Sequence, residues 1–253
     1  MGTSSLPDRL STLVQLRDRT DVTIGPRWIV LAITSYLLWI VFAIFASNGF
    51  TLPSLSVPET LGIFGTLAFS TSTGTSFLVY GLLNRQNKHA EREQEFAWEM
   101  MNRIQSRTDP SRVNILLPLS SAQQDFSKLL ERSCEHSAIL WSLLVLIPYA
   151  GWIFLIVALY LLTQASNLHE RMERSLFEDL DLTLAAEGSH RVVLDGGIPR
   201  SRNSVAYAIA SVLTVGIVAL SWLYIMVIGE EAHFRYHSSL EPILLGAFLD
   251  LGK

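Results

Sequence analysis

Cysteine is almost missing from this sequence. Cys134 is the only one among 253 residues, which excludes an intrachain disulfide and any zinc site built from several thiolates. Charge is scarce too: Asp, Glu, Lys and Arg make up 17% of the chain, against roughly 25% in ordinary soluble domains. A net charge of -4 without a long basic run argues against a nucleic-acid partner. Glycine-rich phosphate loops, a G-x-S-x-G elbow and an H-E-x-x-H helix are all absent, so nothing in the motif content points to an enzyme.

What the chain does have is apolar sequence gathered into blocks. Hydrophobic residues reach 49% and the mean hydropathy is +0.33. Runs free of Asp, Glu, Lys and Arg cover Trp28 to Phe50, Leu61 to Leu83, Ala138 to Thr163 and Ser204 to Gly229. Each reaches the roughly 20 residues that cross a ~30 Å hydrocarbon core. The expected fold is all-α: a polytopic integral membrane protein with four hydrophobic helices and amphipathic juxtamembrane helices. The chain divides into an N-terminal amphipathic segment (1–26), a first helical pair with its juxtamembrane helix (27–108), a third hydrophobic segment with a similar helix (109–190), and a fourth with a C-terminal amphipathic helix (191–253). Nothing resembling a small-residue cleavage site follows the first run, which reads as an uncleaved helix.

Sidedness follows from the basic residues. The stretch Asn48 to Glu59 has none, whereas Asn84 to Ser137 carries Arg85, Lys88, Arg92, Arg103, Arg107, Arg112, Lys128 and Arg132. That block, and with it the N-terminus, is expected on the cytoplasmic face of a cell membrane. The expected partners are the lipid bilayer and a protein partner or second copy of the chain.

Three tyrosines near the ends of apolar runs, Tyr80, Tyr160 and Tyr224, put the following residues in register. Nine residues on stand His89, His169 and His233, in NKHAERE, NLHERME and EAHFRYH. Asn87, Asn167 and Glu231 precede them by two positions, and Glu93, Glu173 and His237 follow by four. Phe96, Met100 and Ile104 then match Leu176, Leu180 and Leu184, and Leu240, Leu244 and Phe248, one apolar stripe per copy. The runs VLIPYAGWIFLIVALY and VLTVGIVALSWLY with their x-x-His helices resemble a group of uncharacterised, largely archaeal, prokaryotic multi-pass membrane proteins. The resemblance covers the last half of the chain and implies no activity; the first copy departs from it, with Ser-Thr-Gly in place of the turn.

If all four runs span plainly, the middle copy faces the opposite compartment from the other two. Doubling back near Pro148 to Gly151 and near Thr214 to Gly216 would avoid this, with arms of about a dozen residues, roughly 18 Å. Four plain spans are the simpler expectation, because they bury no turn.

Two groups of residues stand out chemically. Gly62, Thr66, Ser70 and Gly74 recur every fourth residue and read as a helix-packing face; a hydroxyl-lined pore is the alternative use of this STSTGTS band. His89 with Glu93, His169 with Glu173, and His233 with His237 are i, i+4 pairs that could chelate a first-row metal. With plain spans they do not share a site, so no metal, cofactor or catalytic residue is expected and each histidine should stand alone at a helix exit. The function expected on these grounds is structural or interaction-based, as a scaffold or accessory subunit. The alternatives are a passive pore or small-solute transporter, and a metal-binding sensor or enzyme.

Overall fold

The computed structural model describes residues 7–21, 24–25, 28–48, 56–132, 136–147, 150–189 and 201–250. Among them are eight α-helices and no strand: α1 (Pro7–Thr20), α2 (Ile29–Asn48), α3 (Val57–Arg107), α4 (Val113–Arg132), α5 (Ala138–Val145), α6 (Gly151–Glu187), α7 (Ser204–Leu213) and α8 (Ile217–Asp250). Cys134, Pro148 and most of the loop after α2 lie outside the described residues. By length and composition α2, α6 and α8 could each cross a membrane.

Helices α2 and α3 form an antiparallel pair. Glu59 opens α3 by accepting from the backbone N–H and hydroxyl of Ser56, at 2.8 and 2.7 Å, and Pro58 occupies a first-turn position where no N–H is needed. Along the seam Phe45 stacks on Phe64 with centroids 4.9 Å apart, and the Trp39 indole N–H donates to Ser72 at 2.9 Å.

The face of α3 that makes this seam differs from the expected one. Gly62, Thr66 and Ser70 are exposed, and the Thr66 and Ser70 hydroxyls donate to carbonyls of their own helix, Gly62 and Thr66, at 2.8 Å each. Only Gly74 of that set meets α2, where a Cβ would lie 2.7 Å from Leu31 Cδ1. The reason is helical pitch. At 3.6 residues per turn, a four-residue step advances about 40° around the helix, so the line from Gly62 has turned onto the seam only at Gly74. Gly65, Ala68 and Ser72 take the other close positions, with Gly65 against Phe42.

The expectation of four uninterrupted hydrophobic helices fails at the third and fourth runs. Each is broken, between α5 and α6 and between α7 and α8, and doubles back. At the second break Val215 and Gly216 have φ of 50° and 96°. The left-handed region is unfavourable for a β-branched residue, and the Tyr36 hydroxyl of α2 donates to the Val215 carbonyl at 2.6 Å. On either side of this turn Tyr207 stacks on Trp222, centroids 5.3 Å apart. Farther from it the Arg202 guanidinium touches Met226 Sδ at 3.6 Å and abuts Gly229. Such symmetric rungs define a helical hairpin.

Two asparagines hold the hairpin starts. The Asn87 amide donates to the His136 carbonyl at 3.1 Å, just ahead of α5. Asn167 donates to the Arg202 carbonyl at 2.7 Å and accepts from the Arg202 N–H at 3.1 Å, just ahead of α7. Both hairpins therefore begin and end at the same level, and the segments after Tyr80, Tyr160 and Tyr224 all emerge on one side.

The result is a molecule with two apolar cores stacked end to end. One contains Ile29, Leu78, Leu82, Leu159 and Trp222. The other is built by the lower halves of α3, α6 and α8 with α1 and α4, and contains Phe96, Met100, Leu176, Leu180, Leu244 and Phe248. Between them lies the polar stratum that carries the histidines.

Candidate metal centre

Spacing of i, i+4 places each histidine pair partner one turn along the same helix face. The helices α3, α6 and α8 turn those faces toward one another. Ring centroids of His89 lie 5.9 Å from His169 and 5.2 Å from His233, and His169 lies 6.1 Å from His233. The expectation that the histidines stand singly, with His169 stranded on the far side, is thereby overturned. Its premise was a third run that crosses; the run returns instead. Burial also exceeds expectation: His89, Glu93, Glu173 and His237 are 1%, 0%, 3% and 0% exposed.

All six paired residues converge. Four overlapping triads each have ligand atoms within 4.8 Å of one another: His89, His169 and His233; His89, Glu93 and His237; Glu173, His233 and His237; Glu93, His169 and Glu173. His169 Nε2 lies 2.8 Å from Glu93 Oε2, and His89 Nε2 3.4 Å from the same oxygen. On the other side of the cluster His233 Nε2 is 3.5 Å from Glu173 Oε2, and His237 Nε2 is in ion-pair contact with Glu173 Oε1. Contact is not satisfaction. Nε2 of His89 and His233, both ring nitrogens of His237, Glu93 Oε1 and Glu173 Oε2 are buried without a hydrogen-bond partner of proper geometry.

A second ring of groups turns these nitrogens inward. Asp21, between α1 and α2, lies 3.1 Å from His89 Nδ1, and Glu241 lies 3.5 Å from His237 Nδ1. Arg92 makes a two-pronged contact with Glu241, at 2.7 and 2.8 Å, and reaches Asp21 Oδ2 at 3.3 Å. A carboxylate on one imidazole nitrogen fixes ring orientation and leaves the other nitrogen free to bind. Arg85 and Glu230 form a separate buried pair at 2.5 Å, with the guanidinium over Phe234 at 4.7 Å.

Burial and charge pull the ionisable groups apart. Burial alone would lower His169, but the carboxylates of Glu93 and Glu173 outweigh it and raise the imidazole to about 9. His237 rises in the same way against burial, chiefly through Glu173. Burial would raise Glu93, yet His169 and its neighbours hold it well below the usual carboxylate range. His233 is pushed down, first by burial and then by the positive charge of the other imidazoles.

Nitrogen and carboxylate donors in this number suit first-row divalent ions such as Zn, Mn, Fe or Co. Beside the cluster a cavity of about 380 Å³ lies between α3 and α6, lined by His169, Gln86, Gln94, Gln164 and Met172. Sequence reasoning missed Asp21, Arg92 and Glu241. A signal existed for Glu241, which extends the His233, His237 spacing by one more turn, and Arg92 follows His89 by three. Asp21 had none, since it arrives from a distant segment. His190 and the Gly-Gly-Ile-Pro sequence at 196–199, which reads as a turn signal in the sequence alone, lie outside the described residues. No known family, no curated protein and no solved structure matches this chain.

Proposed function

We propose that this chain is an integral membrane metalloprotein, which binds a divalent first-row transition metal at the inner edge of the bilayer through His89, Glu93, His169, Glu173, His233 and His237. One observation carries the reading: six nitrogen and oxygen atoms of this set are buried without a properly formed hydrogen bond, and the residues that carry them fall in overlapping triads whose ligand atoms lie within 4.8 Å of one another. An unpaired buried polar atom costs about 1–3 kcal/mol, so several in one place are a large expense unless a ligand takes them up. The alternative of a purely structural scaffold leaves that cost unexplained.

On this reading α2 and the first half of α3 cross the bilayer, and the two hairpins enter and leave it from one face. The apolar parts of α6 and α8 end at Thr163 and Gly229, about 20 Å from their turns at ~1.5 Å per residue, which is short of a crossing. The basic residues of α3 and α4 favour the cytoplasmic side for the metal layer and the N-terminus. The repeated segments after Tyr80, Tyr160 and Tyr224 act as one ligand-bearing unit used three times. Of the hydroxyl band that suggested a pore, Ser70, Thr71 and Thr73 donate within their own helix, Ser72 bonds Ser35 and Trp39 of α2, and Ser76 donates to the Ser142 carbonyl of α5.

The test is addition of Co(II) to detergent-solubilised, chelator-treated protein, read by visible absorption. Binding at nitrogen and oxygen donors produces ligand-field bands, and His169→Ala combined with His233→Ala removes them. A colourless wild type under Co(II) excess would sink the proposal.

A further inference from the structure

We infer that the cluster holds two metal ions, each in its own two-imidazole, one-carboxylate half. The inference rests on the metalloprotein reading above, and it assigns His89, His169 and Glu93 to one ion, and His233, His237 and Glu173 to the other.

Distances carry the division. Metal bonds of about 2.0–2.2 Å at tetrahedral or octahedral angles hold neighbouring donors about 3.0–3.5 Å apart. Around Glu93 the separations to His169 and His89 are 2.8 and 3.4 Å. Around Glu173 the His233 separation is 3.5 Å, and His237 is in direct contact. Each carboxylate is thus the hub of two histidines, with His89 and His233 at coordination spacing and His169 and His237 closer than that. The two hubs are joined through His169 Nε2, 3.7 Å from Glu173 Oε2, and ligand atoms of Glu93, His169 and Glu173 fall within 4.8 Å of one another. That leaves the two ions as close neighbours, in the range of about 3.5–4 Å found in two-metal sites.

Unpartnered atoms lead to the same number. One ion in the Glu93 half leaves His233 Nε2 and Glu173 Oε2 as they are, buried without partners; one ion in the Glu173 half does the same to His89 Nε2. No single triad takes up all of them either: an ion on His89, Glu93 and His237 still leaves His233 Nε2 and Glu173 Oε2, and one on His89, His169 and His233 leaves the carboxylate oxygens.

The architecture explains how one chain makes the two halves. Helix α6 supplies one ligand to each, His169 to the first and Glu173 to the second, while α3 and α8 also meet directly, with the His89 ring centroid 5.2 Å from that of His233. Pairing His with Glu on α6, and His with His on α8, is what gives each half the same donor chemistry.

The experiment is metal counting with Mn(II). Full-length protein in detergent is stripped with chelator, loaded with Mn(II), desalted, and measured for bound metal per chain and for its EPR spectrum. The expected result is two ions per chain and an exchange-coupled spectrum, falling to one uncoupled ion in Glu173→Gln and in Glu93→Gln. Wild-type stoichiometry and coupling need no variant, so misfolding of either substitution does not decide the outcome. One ion per chain overturns the two-ion inference and leaves the metalloprotein reading standing. Two uncoupled ions, the second unaffected by Glu173→Gln, also overturn it, since the second ion is then bound elsewhere. No bound metal overturns both.

Discussion

At the residue scale the proposed centre depends on side chains outside the ligand set. Arg92 links the two outer carboxylates, Asp21 and Glu241, which lie beside Nδ1 of His89 and of His237. Replacing Arg92 with methionine keeps much of its volume and frees both carboxylates. Metal affinity measured by competition with a chromogenic chelator should fall about 10–100-fold, as for lost outer-shell partners in other metal sites, whereas Arg174→Met, at an exposed pair, should leave it unchanged. Protons compete for the same ligands. His169 in the metal-free protein is raised from 6.5 to about 9, so the folded state keeps a proton that the unfolded chain releases between those values. That stabilisation is complete below about pH 6.5 and is lost as pH rises through about 9. His237, also raised, adds to it with the same sign. Metal binding requires deprotonated ligands, so the loaded protein responds in the opposite direction. Thermal denaturation should show the melting temperature of chelator-treated protein falling between about pH 7 and 9 while that of the loaded protein holds or rises. Parallel slopes would mean that metal does not occupy the histidine cluster.

At the element scale the packing of α2 on α3 can be tested glycine by glycine. A Cβ at Gly74 would lie 2.7 Å from Leu31, so Gly74→Val overpacks the seam and should cost about 1–3 kcal/mol. Gly62 has open space around it; Gly62→Ala should be neutral or stabilise by up to about 1 kcal/mol through helix propensity. Equal destabilisation at both positions would restore the Gly62, Thr66, Ser70 face as a packing surface. The hairpins make a separate demand. With Cys134→Ser as background, single cysteines at Ser137, Ser201 and Ser189 should all be labelled by an impermeant thiol reagent from the side that labels Arg19→Cys, and a cysteine at Ser47 from the other. Labelling of Ser189 and Ser201 from the Ser47 side would mean that the third run crosses, and would separate His169 from its partners.

At the scale of the whole molecule the histidine layer is held between two cores, and each must survive for the six side chains to meet. Leu180 is fully buried in the lower core, among the stripes that follow the histidines. Leu180→Ala should destabilise by about 2–5 kcal/mol. If ligand assembly depends on that core, metal affinity should fall with it even though Leu180 lies more than a turn from the nearest ligand, Glu173. In the reverse direction, metal at a hundred times its dissociation constant should stabilise the fold by about 2.7 kcal/mol. An unfolding curve indifferent to metal would show that the cluster forms no part of the cooperative unit.

Local pattern alone determined the helical class, the positions of the apolar runs and the face on which each histidine lies with its partner, because hydropathy and the 3.6-residue period act over one or two turns. The stripes Phe96 to Ile104, Leu176 to Leu184 and Leu240 to Phe248 were legible for the same reason, and all nine positions are buried. Periodicity could not say whether a long apolar run crosses or returns: that rests on short interruptions, at Val215 and Gly216 for instance, and on what receives them, here the Tyr36 hydroxyl. Nor could it bring Asp21 to His89, sixty-eight positions away, or join Arg92 to Glu241 across 149. Sequence supplied three isolated ligand pairs. Only the doubling back of the third and fourth runs put them on one side, and the packing of α3, α6 and α8 then turned six side chains toward a common interior.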